Sequence, residues 1–194
     1  MEKPIQEPYK LGVLIEGELT PHVFPNAYRS EVIEGGTPRL QVTTDGSYID
    51  VMVGLAGVLP EPFSLLYVLV VPRKGQEAGR YRGPMMTRTQ IEFFLRRYQD
   101  ALERDARHHL WLAAIDDDGH PRGMIVYDLH NVLFGYGPLD AFETYLEGAG
   151  FPRVETIELP FPHTHHYNER FDSDVDAILA AYAWERSPLT EQDE

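Results

Sequence analysis

Cysteine is absent from this chain, which excludes a disulfide framework, an iron–sulfur cluster, a thiolate zinc site and a cysteine nucleophile together. Any metal must be held by nitrogen and oxygen. Long apolar runs are also scarce. The longest, Phe63 to Val71, includes Ser64 and is about half of what a membrane-crossing helix requires, so it reads as a buried strand. The opening MEKPIQEPYK lacks the basic start and apolar centre of a signal peptide, which points to a cytoplasmic protein with no membrane segment. Positive charge is in short supply: 17 Lys and Arg stand against 31 Asp and Glu, a formal net charge of −14. Phosphate backbones are bound by clustered cations that release counterions. Nucleic acid is therefore a poor partner.

What is present suffices for a core. The 194 residues are 43% hydrophobic and 11% aromatic, unlike a disordered chain. A chain of this length buries roughly 70% of its unfolded surface and needs no cofactor for stability. With no repeat and no linker-like stretch, residues 1–194 read as one domain with frayed ends at about 1–8 and 187–194. Charge is uneven along it. Residues 73–107 hold nine Lys/Arg against five Asp/Glu, a net of +4, leaving −18 elsewhere. Arg80, Arg82 and Arg88 could attract an anion, although Glu92/Arg96, Asp100/Arg104 and Glu103/Arg107 stand at the spacing of helix-face ion pairs.

The pattern predicts an α+β fold, an antiparallel or mixed sheet with about three helices packed on it. Expected strands are Lys10 to Ile15, Arg39 to Thr43 hairpinned to Tyr48 to Val53 across Asp45-Gly46, Phe63 to Val71, a second hairpin of Leu110 to Ile115 and Met124 to Asp128, and Val154 to Leu159. Expected helices begin at a Thr89/Glu92 capping box, at Pro138, and at Asp172 or Ser173. Pro72 to Met86, with three glycines and four basic residues, reads as a surface flap. His108 and His109 fall where the first helix should end and complement its dipole.

The chemistry concentrates in two short segments. Three of eight histidines lie in Phe161-Pro162-His163-Thr164-His165-His166-Tyr167. In an extended chain His163 and His165 share one side, their attachment points ~6.6 Å apart. Asp128 and His130 repeat that spacing in Tyr127-Asp128-Leu129-His130-Asn131. If the segments meet, His163, His165, Asp128 and His130 form a nitrogen and oxygen donor set suited to zinc, iron or manganese. Tyr127, Asp128, His130, Tyr136, His166 and Tyr167 could equally line an aromatic and polar cleft for a small molecule. The acidic exterior would also suit a basic protein partner.

His163-x-His165-xxx-Glu169 resembles the His-x-His-xxx-Glu part of the first cupin motif over seven residues. Its flanking glycines and a second motif are missing, so no family follows. No Gly-x-Ser-x-Gly elbow, His-Glu-xx-His helix, phosphate-binding loop or dinucleotide fingerprint is present. Asp116-Asp117-Asp118 reads as a solvated turn. The favoured expectation is a binding or regulatory module with a His/Tyr-lined cleft. The alternative is a metal-dependent hydrolase or oxygenase built on the His163/His165 cluster with Asp128 or His130, and whether the chain is an enzyme stays open.

Overall fold

The computed structural model describes residues 7–191 and residue 193. The first six residues of the expected frayed N-terminus, and residues 192 and 194, lie outside the described residues. Eleven strands and five α-helices follow in order among those described: β1 Leu11–Ile15, β2 Glu18–Pro21, β3 Ala27–Val32, β4 Pro38–Thr43, α1 Tyr48–Gly57, β5 Phe63–Leu69, β6 Gly79–Met86, α2 Arg88–Arg97, α3 Gln99–Arg104, β7 His108–Ile115, β8 Pro121–Tyr127, β9 Leu133–Tyr136, α4 Leu139–Gly148, β10 His163–His165, α5 Asp172–Ala180 and β11 Glu185–Ser187. The strands form two antiparallel sheets, one ordered β10-β1-β2 and the other β11-β6-β5-β7-β8-β9-β4-β3. This is a mixed α+β architecture dominated by sheet, with more helices than the three expected.

Alternation sets the two faces of the large sheet. Leu65, Tyr67 and Leu69 of β5, Leu110, Leu112 and Ala114 of β7, and Ile125 and Tyr127 of β8 share the main core with Ile49, Met52 and Leu55 of α1, Phe94 of α2, Phe142 of α4 and Val175 of α5. Burying each such side chain stabilises the fold by about 1.5–3 kcal/mol. A second cluster of Leu11, Phe24 and Val132, joined by Phe134 and Ile157, fastens β1 near the turn from β8 into β9.

Several expectations are corrected. Tyr48 to Val53 is not a strand but the start of α1. Ser47 Oγ accepts the Asp50 amide as an N-cap, and the buried positions Tyr48, Ile49, Met52, Leu55 and Ala56 recur at helical spacing, which outweighs the β preference of Ile and Val. The flap shrinks because residues 79–86 form β6, whose Tyr81 enters the core while Arg80 and Arg82 face the other way. His108 and His109 open strand β7 instead of closing a helix. Residues 154–159 form no strand, and only Arg153 bridges to Tyr28. The first long helix divides at Tyr98, and its capping box is Thr87 with Gln90, two residues before the expected pair.

The expected ion pairs Glu92/Arg96 and Asp100/Arg104 form at 3.7 and 2.9 Å. Arg107 instead turns inward. Its side chain is wholly buried, donating to Asp105 at 2.9 Å, Asp172 at 2.8 Å and the Asn168 carbonyl at 2.6 Å. This cluster anchors the chain that follows β10.

At the other end, Ser187 of β11 pairs with Arg80 of β6. Thr190 donates to the buried Asp193 carboxylate. No helix among the described residues is long and apolar enough to cross a membrane.

Candidate metal centre

Strand β10 carries two of the site's imidazoles. Its pairing with β1 sets His165 opposite Leu11 and His163 opposite Val13, so both rings emerge on one face. The third arrives from the tight loop between β8 and β9. There the Asp128 amide donates to the Val132 carbonyl at 3.0 Å, and Asn131 takes a φ of 61°, a left-handed conformation that Asn tolerates better than most residues. Asp128 Oδ1 accepts the amides of His130 and Val132, each at 2.9 Å. The short loop thereby lifts His130 toward β10.

The three imidazoles meet. Ring centroids lie 5.3 Å apart for His130 and His163, 4.8 Å for His130 and His165, and 5.3 Å for His163 and His165. One ligand atom from each lies within 4.8 Å of the others, a grouping that could hold a metal ion.

Hydrogen bonding decides which nitrogens are free. His163 Nδ1 donates to the Pro160 carbonyl at 2.7 Å. His130 Nδ1 donates to Asp128 Oδ2 at 3.0 Å. In a neutral ring both Nε2 atoms then carry lone pairs, and carbonyl or carboxylate partners of this kind orient the histidine ligands of metal sites. His165 Nε2 is buried with no hydrogen-bond partner among the described residues, a costly state that coordination would relieve.

The remaining candidates divide. Asp128 joins the cluster as the partner of His130 instead of as part of the converging group. Tyr127 is buried, stacks on Tyr48 at 5.2 Å and donates to Asn131 at 2.7 Å. Tyr136, which accepts from Arg39, lies on the opposite face of the sheet from Tyr127. His166 packs 4.2 Å from Tyr9 and bonds Thr164. Tyr167 is part-exposed, its carbonyl accepting from Arg73. Glu169 of the cupin-like spacing is exposed beside Arg73. Asp116, Asp118 and His120 also converge, but Asp116 Oδ1 is engaged by the two backbone amides of that solvated turn.

Residues outside the expected set support the centre. Lys10 is buried, donating to the Asp128 carbonyl at 2.7 Å and lying 3.9 Å over the Tyr127 ring. Burial pulls its amine down to about 8, against the neighbouring carboxylates that oppose the fall. His22 stands just after β2, its amide donating to the Leu11 carbonyl and its Nε2 buried without a partner among the described residues. No local spacing signals either residue, because both reach the site only through pairing in the small sheet.

Burial, reinforced by His130 and His163, brings the His165 ring down to about 4. Burial and then Lys10 bring His109 to about 4 as well. Between the ordinary histidine value of 6.5 and about 4 the folded chain binds fewer protons than the unfolded one, so these rings cost the fold nothing by titration above pH 6.5 and destabilise it increasingly as the pH falls toward 4. The urea midpoint of metal-free protein should fall across that interval, and His109→Gln should flatten the decline. A parent profile that is level from pH 6.5 to 4 contradicts this.

No protein-family model matches the chain, and no curated protein or solved structure matches it.

Proposed function

We propose that the chain is a metal-dependent enzyme of the hydrolytic type, with His130, His163 and His165 as the ligands of one divalent ion. The observation that carries this reading is the convergence of three imidazole donors within 4.8 Å, two of them aimed by acceptors on their other ring nitrogen. A set of three nitrogen donors is the kind that catalytic rather than closed structural zinc uses. An ion bound there would supply activation of water near neutral pH and polarisation of the bond under attack. The chain supplies the rest. Asp128 and the Pro160 carbonyl hold two rings in orientation, and burial keeps His165 neutral and ready to donate its lone pair.

Protein prepared without a histidine tag and dialysed against zinc should retain a full equivalent and hydrolyse p-nitrophenyl acetate, with chelation removing both. Sub-stoichiometric zinc that is unchanged in His163→Ala with His165→Ala would overturn the proposal. Asp128→Asn should weaken zinc binding about 10–100-fold, as loss of an outer partner of a ligating histidine does. Competition with a fluorescent zinc chelator measures this, and an unchanged affinity would remove Asp128 from the centre.

A recognition module is the second reading. It draws on Phe161, 93% exposed, and Tyr167, 40% exposed, on either side of the same histidines. On that reading Tyr167→Ala abolishes partner capture while zinc retention is unaffected.

A further inference from the structure

Two cross-strand rows of the large sheet face away from the main core. In the first, Ser187 of β11 stands beside Arg80 of β6, Arg80 beside Val68 of β5, and Val68 beside His109 of β7. The β7–β8 pairing ends at Leu110 and Tyr127, with His109 the residue of β7 just before it. This row therefore runs from an arginine to a buried imidazole. In the second row Arg82, Leu66, Trp111, Val126 and Phe134 follow one another, giving an apolar and aromatic floor.

The segment after β11 rests on the arginine end. Arg80 Nη1 donates to Thr190 Oγ1 at 3.3 Å, and its Nε lies 3.8 Å from Asp193 Oδ2. Thr190 donates to the same oxygen through its amide at 2.7 Å and its hydroxyl at 2.9 Å. Asp193 is only 1% exposed, yet among the described residues its Oδ1 has no hydrogen-bond partner, and neither does His109 Nε2 or Trp111 Nε1, all of them buried. The Arg80 guanidinium lies 5.4 Å from the Trp111 ring. Beside it opens a cavity of about 590 Å³ bordered by Leu66, Arg82 and Ser187. A buried carboxylate with one oxygen unmatched, on the sheet face that also carries two buried ring nitrogens without partners among the described residues, is a poor final partner for this row. It has the chemistry of a placeholder.

We propose that the row from Arg80 to His109 is a subsite for a carboxylate attached to an apolar or aromatic body, and that Asp193 fills it until such a molecule displaces the Asp193 carboxylate. Arg80 meets the charge, the Trp111 N–H and the His109 imidazole on the same sheet face are the further polar groups it can engage, and Leu66, Trp111 and Val126 receive the body. Treating that molecule as the substrate of the metal centre rests on the hydrolytic reading. Its binding to the subsite does not.

The test is calorimetric titration of the full chain, stripped of metal by a chelator, with benzoate. Asp193→Ala should bind benzoate on the order of tenfold more tightly than the parent, because the competing occupant is gone. Thr190→Ala, which loosens the same seat, should shift affinity in the same direction. Adding Arg80→Gln to Asp193→Ala should abolish the gain. The proposal is overturned if neither variant gains affinity while circular dichroism shows both folded, if the gain survives Arg80→Gln, or if benzyl alcohol binds as tightly as benzoate. Because no metal is present, these outcomes are independent of the zinc and ester-hydrolysis measurements.

Discussion

His165→Ala should weaken zinc binding about 10²–10³-fold while leaving the fold intact. Four-ligand zinc sites bind with about 10–16 kcal/mol in all, which assigns about 3–4 kcal/mol to one donor. His165 is the sharpest probe of the three ligands because its Nε2 has no hydrogen bond to lose. It therefore contributes little to stability except through an ion. Removing it also relieves a buried unmatched polar atom, so the metal-free variant should unfold at a urea concentration no lower than the parent's. His166→Ala is the control, since that ring leans on Tyr9 and Thr164 and should leave affinity unchanged. Equal affinities for parent and His165→Ala, read by chelator competition, would remove His165 from the centre.

Arg107→Met should cost about 3–5 kcal/mol of stability, the penalty for stranding buried charges whose partner is removed. The guanidinium neutralises Asp105 and Asp172 inside the protein. Asp172 keeps Arg73 and Lys74, each at 3.2 Å, so the stranded group is mainly Asp105. Adding Asp105→Asn to Arg107→Met should therefore recover a substantial part of the loss, with urea unfolding as the measurement. A loss near zero for the single variant would show that water enters the cluster freely. The Asn168 carbonyl also loses its donor, which loosens the chain after β10. Zinc affinity should nevertheless change less than in His165→Ala, because β10 remains paired with β1.

How far the site is legible depends on the distance over which its parts are specified. His163 and His165 share a side through the two-residue period of a strand, a local property that three adjacent residues fix. Asp128 and His130 are visible for the same reason, but their division of labour is not. Asp128 points Oδ1 back at the His130 and Val132 amides and gives Oδ2 to the His130 ring, a turn geometry in which the carboxylate serves the loop and orients the imidazole. That the two segments meet at all is decided by β1, which pairs with β10 and packs Leu11 against Val132. His109 is misread because its neighbourhood resembles the end of a helix, whereas the alternating burial from His108 to Ile115 shows a strand. Tyr48 to Val53 fails in the opposite sense. Its Asp45-Gly46 turn signal and β-branched residues suit a hairpin, and only the apolar positions continuing to Leu55 and Ala56 reveal the helix.

Two of the three imidazoles belong to the small sheet and one to a loop of the large sheet. An ion held between them would act as a rivet across that seam. Loading and the mutual anchoring of the sheets would then be a single equilibrium: whatever prises β10 away also releases the ion, and whatever retains the ion keeps the seam shut.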